Sequence, residues 1–338
     1  MMAASSAGDL GTEILLQAKR ADASLRPAVR ETPLLEASWL GRARGTNVLF
    51  KMESLQVTGS FKFRGAMTKI LALAIADRPR GVVAASTGNH GAAVAEAGFR
   101  LKIPVHVFVP ESVSASKLSR IETRGAEVTQ IPGDPIHAER TARAYAEKHG
   151  LTYVSPYNDP SVVAGQATVG LELLRQCGTP PAAILVPLGG GGLSAGIAIS
   201  VKADWPSTHI IACSPANSQV MIRSLETGRL LELPSLPTIS DGTAGGIEMG
   251  AITFDLCGAW IDEFLTVSEE EIAESMVQVI ENERILIEGS AAVSVAGYQK
   301  IAHRFTSESV VVVLSGANVS RGTLLDVLSG STHHPEIT

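Results

Sequence analysis

Short β-branched runs alternate with amphipathic stretches along almost the whole of this chain, and that alternation leaves few folds open. Strand candidates lie at residues 48–52, 81–85, 105–109, 127–131, 183–187, 209–213 and 310–314. Between them, apolar spacing predicts helices over 63–76, 91–99, 115–124, 137–148, 162–176, 193–203, 269–282 and 291–304. Strand-then-helix repetition implies an α/β fold of parallel or mixed sheets flanked by helices. Aromatics make up only 4% of the 338 residues. Small and aliphatic side chains must therefore build the interior, which suits helices packed closely on a sheet.

A chain of this length is long for a single core. The β-α units between Arg80 and Tyr157 suffice for a small sheet, and the strand near Val48 belongs with the later set that starts around Ser161. The expected layout is a large domain formed by residues 1–79 and 158–338, with a small domain, 80–157, inserted in it and a cleft between them. The terminal stretches 1–10 and 329–338 are polar or rich in small residues and are expected to fray.

The formal charge is −6 and no basic stripe interleaved with aromatics occurs, so nucleic acid is not an expected partner. No apolar run approaches a membrane span, and the amino terminus lacks the pattern of a secretory signal. Cys177, Cys213 and Cys257 are widely separated and match no metal-ligand spacing. They read as reduced core residues of a cytoplasmic protein.

Chemistry concentrates in a few turns. Lys62 stands between Phe61 and Phe63 in the run Thr58 to Ala66. An apolar collar favours the neutral amine, the form that attacks a carbonyl carbon, so Lys62 is a candidate Schiff-base lysine for pyridoxal phosphate (PLP). Taken alone, an ordinary helix start capped by Ser60, with Lys62 solvated, explains the same residues better. Gly189, Gly190, Gly191 and Gly192 follow an apolar strand and open a helix. Free backbone N–H groups there, with the helix's positive end behind them, suit a phosphate. Ser86, Thr87, Gly88, Asn89, His90 and Gly91 repeat the strand-to-helix geometry and can grip a carboxylate, although simple N-capping by Ser86 or Thr87 fits equally. Ser315 ends a buried strand at the carboxyl edge where open α/β sheets bind ligands. The turns 241–246 and 288–290 read as cleft lining without chemistry of their own.

With these residues together, the chain resembles the fold-type II PLP-dependent enzymes, whose fold is that of the tryptophan synthase β subunit, and within them the serine/threonine dehydratase and serine racemase group. The likeness runs in order from Thr32-Pro33-Leu34 to Ser315-Gly316. The run Ser60-Phe61-Lys62-Phe63-Arg64-Gly65-Ala66 has the form seen in that group, whereas β-replacing synthases more often carry Ser-x-Lys-Asp-Arg. The resemblance implies that Lys62 bonds PLP with Phe61 beside the cofactor, and that Asn89 bonds the ring oxygen. It further implies that Gly189, Gly190, Gly191, Gly192 and Leu193 hold the phosphate, Gly242 lines the cofactor cleft and Ser315 faces the ring nitrogen. Ser86, Thr87, Gly88 and His90 would bracket the substrate carboxylate, with no catalytic role for His90.

The activity so implied is an ammonia-lyase (dehydratase). Lys62 takes the α-proton of a 3-hydroxy amino acid, the hydroxyl leaves as water, and hydrolysis yields a 2-oxo acid and ammonia. An amino-acid racemase, a β-replacement synthase or a non-catalytic small-molecule binding protein are the alternatives. Two departures bear on the choice. Racemases of the group carry a serine where this chain has Thr87. Metal-dependent relatives place carboxylates soon after the strand ending near Cys213, but the stretch from Ser214 to Val220 has none, so no metal is expected. Stretches 155–159 and 243–249, the expected substrate loops, contain no arginine, which disfavours a second carboxylate on the substrate. Relatives are commonly dimers, so a homodimer is expected.

Overall fold

The structure, a computed structural model, describes residues 2–133 and 135–330. Its ten strands are β1 (Leu34–Glu36), β2 (Asn47–Lys51), β3 (Val82–Ala85), β4 (Val105–Pro110), β5 (Glu127–Ile131), β6 (Thr152–Tyr153), β7 (Ala183–Pro187), β8 (His209–Pro215), β9 (Glu263–Val267) and β10 (Ser309–Val313). They form a six-stranded sheet of order β1-β2-β10-β7-β8-β9 and a four-stranded sheet of order β5-β4-β3-β6. Only the β1–β2 pair is antiparallel.

The continuous apolar runs make central strands covered on both faces. In β7, Ile184 and Val186 join one core while Ala183 and Leu185 join the other. In β10, Val311 and Val313 face the first core, and Val310 and Val312 the second. Each such side chain contributes about 1.5–3 kcal/mol on burial. The four-stranded sheet repeats the pattern, with Val82 and Ala84 on one side and Val83 on the other.

Helix Pro160–Gln176 is the hub of one layer, packed on helices Met2–Leu25, Lys62–Leu71 and Gly192–Asp204. Small residues allow that approach: a Cβ on Gly196 would lie 2.8 Å from the Val163 carbonyl.

The amino-terminal stretch differs from expectation. Residues from Met2 onward form a helix to Leu25, because Ile14, Ala18, Ala21 and Leu25 recur at helical spacing and are buried. At the other end, residues 331–338 lie outside the described residues. Helices Val220–Thr227, Ile252–Trp260 and Arg321–Leu328, and strands β1, β6 and β9, are additional to those read from the sequence. No helix among the described residues is long and apolar enough to cross a membrane.

Candidate active site

The carboxyl ends of the strands in both sheets open onto one cavity of roughly 380 Å³. Phe61, Lys62, Ser86, Thr87, Gly88, Asn89, His90, Gly189, Gly190, Gly191, Gly192, Leu193, Gly242 and Ser315 all line it. Residues up to 254 positions apart in the chain are thus brought to one place (315 less 61).

Lys62 opens the helix Lys62–Leu71, and the preceding segment is sewn to the end of β10. Phe61 N–H donates to Ser315 O at 3.1 Å, and Ala317 N–H donates to Gly59 O at 2.9 Å. Ser60 pairs with Gly316 as an isolated bridge. Ser60 does not cap the helix: its hydroxyl is buried and has no hydrogen-bond partner among the described residues. Nor does Lys62 extend into solvent. Its Nζ donates to the Pro156 carbonyl at 2.9 Å and stands 5.0 Å from the centre of the Phe61 ring. Burial pushes the amine down to about 8, against an opposing pull from the Glu288 carboxylate. The neutral amine is therefore accessible near neutral pH.

The glycine turn joins β7 to helix Gly192–Asp204. Gly191 sits at φ 84°, a conformation that favours glycine. The turn is also crowded: a Cβ on Gly190 would come within 2.4 Å of the Tyr157 ring, and one on Gly189 within 2.8 Å of Thr243 Cα. Ser194 Oγ donates to Pro187 O at 2.9 Å, fixing the strand against the helix start. The first-turn N–H groups lack carbonyl partners within the helix and lie at the positive end of its dipole. Tyr157 accepts a 2.9 Å hydrogen bond from Glu248 N–H, which holds its ring over the turn. Cys257 packs behind Gly191, its thiol pushed up to about 12 by burial, so it is a core residue.

At the start of helix Asn89–Leu101, Gly88 N–H donates to Ser86 Oγ at 3.1 Å, shaping the turn. His90 is buried and its Nε2 lies 2.8 Å from the Val154 carbonyl. A carbonyl only accepts, so Nε2 carries the proton. Burial pushes the imidazole down to about 3, which keeps it neutral. Gly242 approaches Ser290 so closely that a Cβ would meet its Oγ at 2.7 Å. Ser315 is buried, and its hydroxyl makes no hydrogen bond to another described residue.

Several groups were not legible as functional from the sequence. Glu288, assigned only to a lining turn, is buried beside the cavity and takes up Asn89 Nδ2 with both carboxylate oxygens, at 2.8 and 3.1 Å. Asn318 completes the group, donating its N–H to Glu288 at 2.9 Å and its Nδ2 to Asn89 Oδ1 at 2.6 Å. Burial pushes Glu288 up to about 7 despite these donors. Lys117 and Arg120, on helix Ala115–Glu122, also line the cavity, and Lys117 pairs with Asp241 at 3.2 Å. The lack of arginine in the two expected loops thus overlooked cations that arrive from a helix.

The turn after β8 is tied by uncharged side chains. Ser214 Oγ donates to Leu188 O at 2.7 Å, Asn217 Nδ2 donates to Pro237 O at 2.7 Å, and Ser218 Oγ accepts from Gly245 N–H at 3.1 Å. Among the described residues, no group of three or more His, Cys, Asp or Glu side chains is arranged to hold a metal.

Known proteins share this architecture. Residues 25–316 match the family described as pyridoxal-phosphate dependent enzymes. The L-threonine ammonia-lyase of Thermotoga maritima is 37% identical over 302 residues, covering 89% of this chain and 74% of that protein. The serine racemase of Arabidopsis thaliana is 33% identical over 322 residues, covering 94% of this chain and 96% of that protein. The solved structure of processed threonine deaminase isoform 2 from Solanum lycopersicum has a TM-score of 0.90 at 32% identity, covering 95% of this chain and 88% of that one. With a buried lysine, a glycine turn and a strand-end serine meeting in one cavity, and a match running from residue 25 to 316, the chain belongs to the fold-type II pyridoxal-phosphate-dependent enzyme family.

Proposed function

We propose that the protein is a PLP-dependent ammonia-lyase that converts a serine- or threonine-like 3-hydroxy amino acid to a 2-oxo acid and ammonia. The observation that carries the reading is the Lys62 amine, held in the cavity by the Pro156 carbonyl and kept partly neutral by burial. The cavity residues fit the cofactor. A reactive amine, a helix start rich in free N–H groups and the Ser315 hydroxyl at the cavity wall meet the needs of an aldehyde, a phosphate and a ring nitrogen. When bound, PLP supplies an electron sink that acidifies the substrate's α C–H.

Residues of this chain supply the rest. The N–H groups from Gly189 to Gly192, with Leu193, would hold the phosphate, and Gly242 would leave room for the ring. Phe61 would lie beside the ring and Ser315 would offer it a neutral hydroxyl. Ser86, Thr87, Gly88 and neutral His90 hold the substrate carboxylate. Lys62 Nζ would take the α-proton, and the 3-hydroxyl, taking up a proton, would depart as water. Glu288 orients Asn89 toward the ring oxygen. Thr87 adds a methyl where a racemase carries a serine, which favours elimination over return of the proton from the opposite face.

The same reading divides the chain into a large domain, 1–79 and 158–338, and a small one, 80–157, and makes the enzyme a cytoplasmic homodimer working without a metal. Ammonia and 2-oxo acid release from a panel of 3-hydroxy amino acids tests it. Release from at least one member is expected; none from any, with PLP bound at Lys62, would refute the lyase.

A further inference from the structure

Behind the cavity, four charged side chains are removed from water together. Lys51, Glu53, Arg64 and Glu172 are exposed by 0%, 0%, 1% and 3%. Arg64 Nε and Nη2 donate to Glu53 at 2.8 and 2.7 Å, and Nη1 and Nη2 donate to Glu172 at 2.6 and 2.9 Å. Arg64 Nη1 also reaches Thr168 Oγ1 at 3.1 Å. Lys51 Nζ donates to Glu172, to Thr32 O at 2.8 Å and to Gln176 Oε1 at 2.9 Å, while Thr32 Oγ1 donates to Glu53 at 2.6 Å. Two cations and two anions cancel, and nearly every donor has a partner.

Stability is a poor explanation for such a cluster. Desolvating ion pairs costs about what their attraction returns, and well-packed apolar replacements are often as stable. What the network does provide is geometry. Arg64 follows Lys62 by two residues, a rotation of about 200° around the helix, so the two side chains leave opposite faces of the same turn. Lys62 enters the cavity, and Arg64 enters the network. The anchors of the network are the elements that frame the site. Lys51 ends β2 and accepts Leu314 N–H through its carbonyl at 2.9 Å, while Ser54 N–H, next to Glu53, donates to Leu314 O at 2.8 Å. Leu314 immediately precedes Ser315. Glu172 lies on helix Pro160–Gln176, which packs against the Lys62 helix.

We propose that Arg64 is a positioning residue: its two-carboxylate clamp to Glu53 and Glu172 fixes where the Lys62 amine stands relative to Ser315. A planar five-donor fork can hold two carboxylates in one orientation, which a lysine at the same place cannot. The inference rests on Lys62 being the amine that carries PLP, and the test separates the two.

Arg64→Lys keeps the charge and loses the fork; Glu172→Gln keeps the volume and loses one arm. In cofactor-free protein, Lys62 is acetylated with acetic anhydride across a pH series and quantified by mass spectrometry against exposed Lys19. In both variants the half-labelling pH of Lys62 is expected to move up by about one unit, so that labelling near pH 8 falls about fivefold. In the loaded enzyme, kcat falls at least about tenfold with KM within about twofold, as expected when geometry rather than binding is lost. An unmoved half-labelling pH alongside a lowered Tm would overturn the proposal. Insolubility of both variants would assign the network to folding and overturn it as well. PLP incubation and borohydride reduction of the wild type read the cofactor assignment by itself: no adduct at Lys62 refutes that assignment, whatever the variants do.

Discussion

Glu288 and Asn89, 199 residues apart in sequence, are joined by a carboxylate that takes up one amide nitrogen with both of its oxygens. This pair sets the direction of the Asn89 side chain at the cavity wall. Glu288→Gln leaves the shape but provides one acceptor fewer, so Asn89 is expected to turn and kcat to fall by about a hundredfold.

The same carboxyl carries a pH signature. Burial raises it from an ordinary 4.5 to about 7. Below 4.5 it is protonated in folded and unfolded chains alike. Between 4.5 and 7 the unfolded chain has released a proton that the folded chain keeps, so stability falls as pH rises, and above 7 that loss is complete. Glu288→Gln stays neutral throughout, so its Tm should decline less than the wild type's across this window. Equal declines by calorimetry would count against the shift.

Lys62→Ala should lose at least about a thousandfold in turnover and all PLP trapped by borohydride at that position. The wild-type amine is pushed down to about 8 and acts as a base only when neutral. The acidic limb of kcat, which reports the substrate complex in which that amine is free, should therefore rise as pH climbs through about 8 and flatten above it.

Gly190→Ala places a methyl where the Tyr157 ring stands, 2.4 Å away. The turn must shift, and PLP affinity should fall by at least about tenfold, or about 1.4 kcal/mol. Equilibrium dialysis measures it. Adding Tyr157→Ala should recover part of the loss.

Two further expectations concern racemisation and metal dependence. Thr87→Ser should raise racemisation relative to elimination, read by chiral chromatography, and wild type is expected to give little D-product from an L-substrate. Extensive chelation should leave activity within about twofold, because the turn after β8 offers neutral hydroxyls and amides where a hard cation needs carboxylates.

How much of this was legible in the sequence follows from the range of the interactions. The strands were, since β7 and β10 are buried on both faces and read as unbroken apolar runs. The Gly189–Gly192 turn was, since four glycines between an apolar strand and a helix mark it locally, whereas Lys62 stood out only beside that turn and Ser315. Glu288 was not, because its role exists only through Asn89 and Asn318, which no spacing rule connects to it. The clamp of Arg64 was not, because Glu53 and Glu172, which face it, lie 11 and 108 residues away in the chain. The amino-terminal helix buries mostly alanine against its neighbours, which gives a weak apolar signal. Strand β9 lies at a sheet edge with half-buried residues and lacks the hydrophobic run that marks its central neighbours.

The placement of β10 has a consequence for biosynthesis. The last strand to be made lies between β2 and β7, near the middle of the six-stranded sheet. Until residues 309–315 are made, β2 and β7 have no common neighbour, and Ser315 is missing from the cavity that Lys62 enters. The four-stranded sheet, whose strands end at Tyr153, has all of its chain long before. Assembly of the cavity therefore waits for β10, and a nascent chain stalled before residue 309 can hold a formed small sheet but not the cavity wall that Ser315 provides.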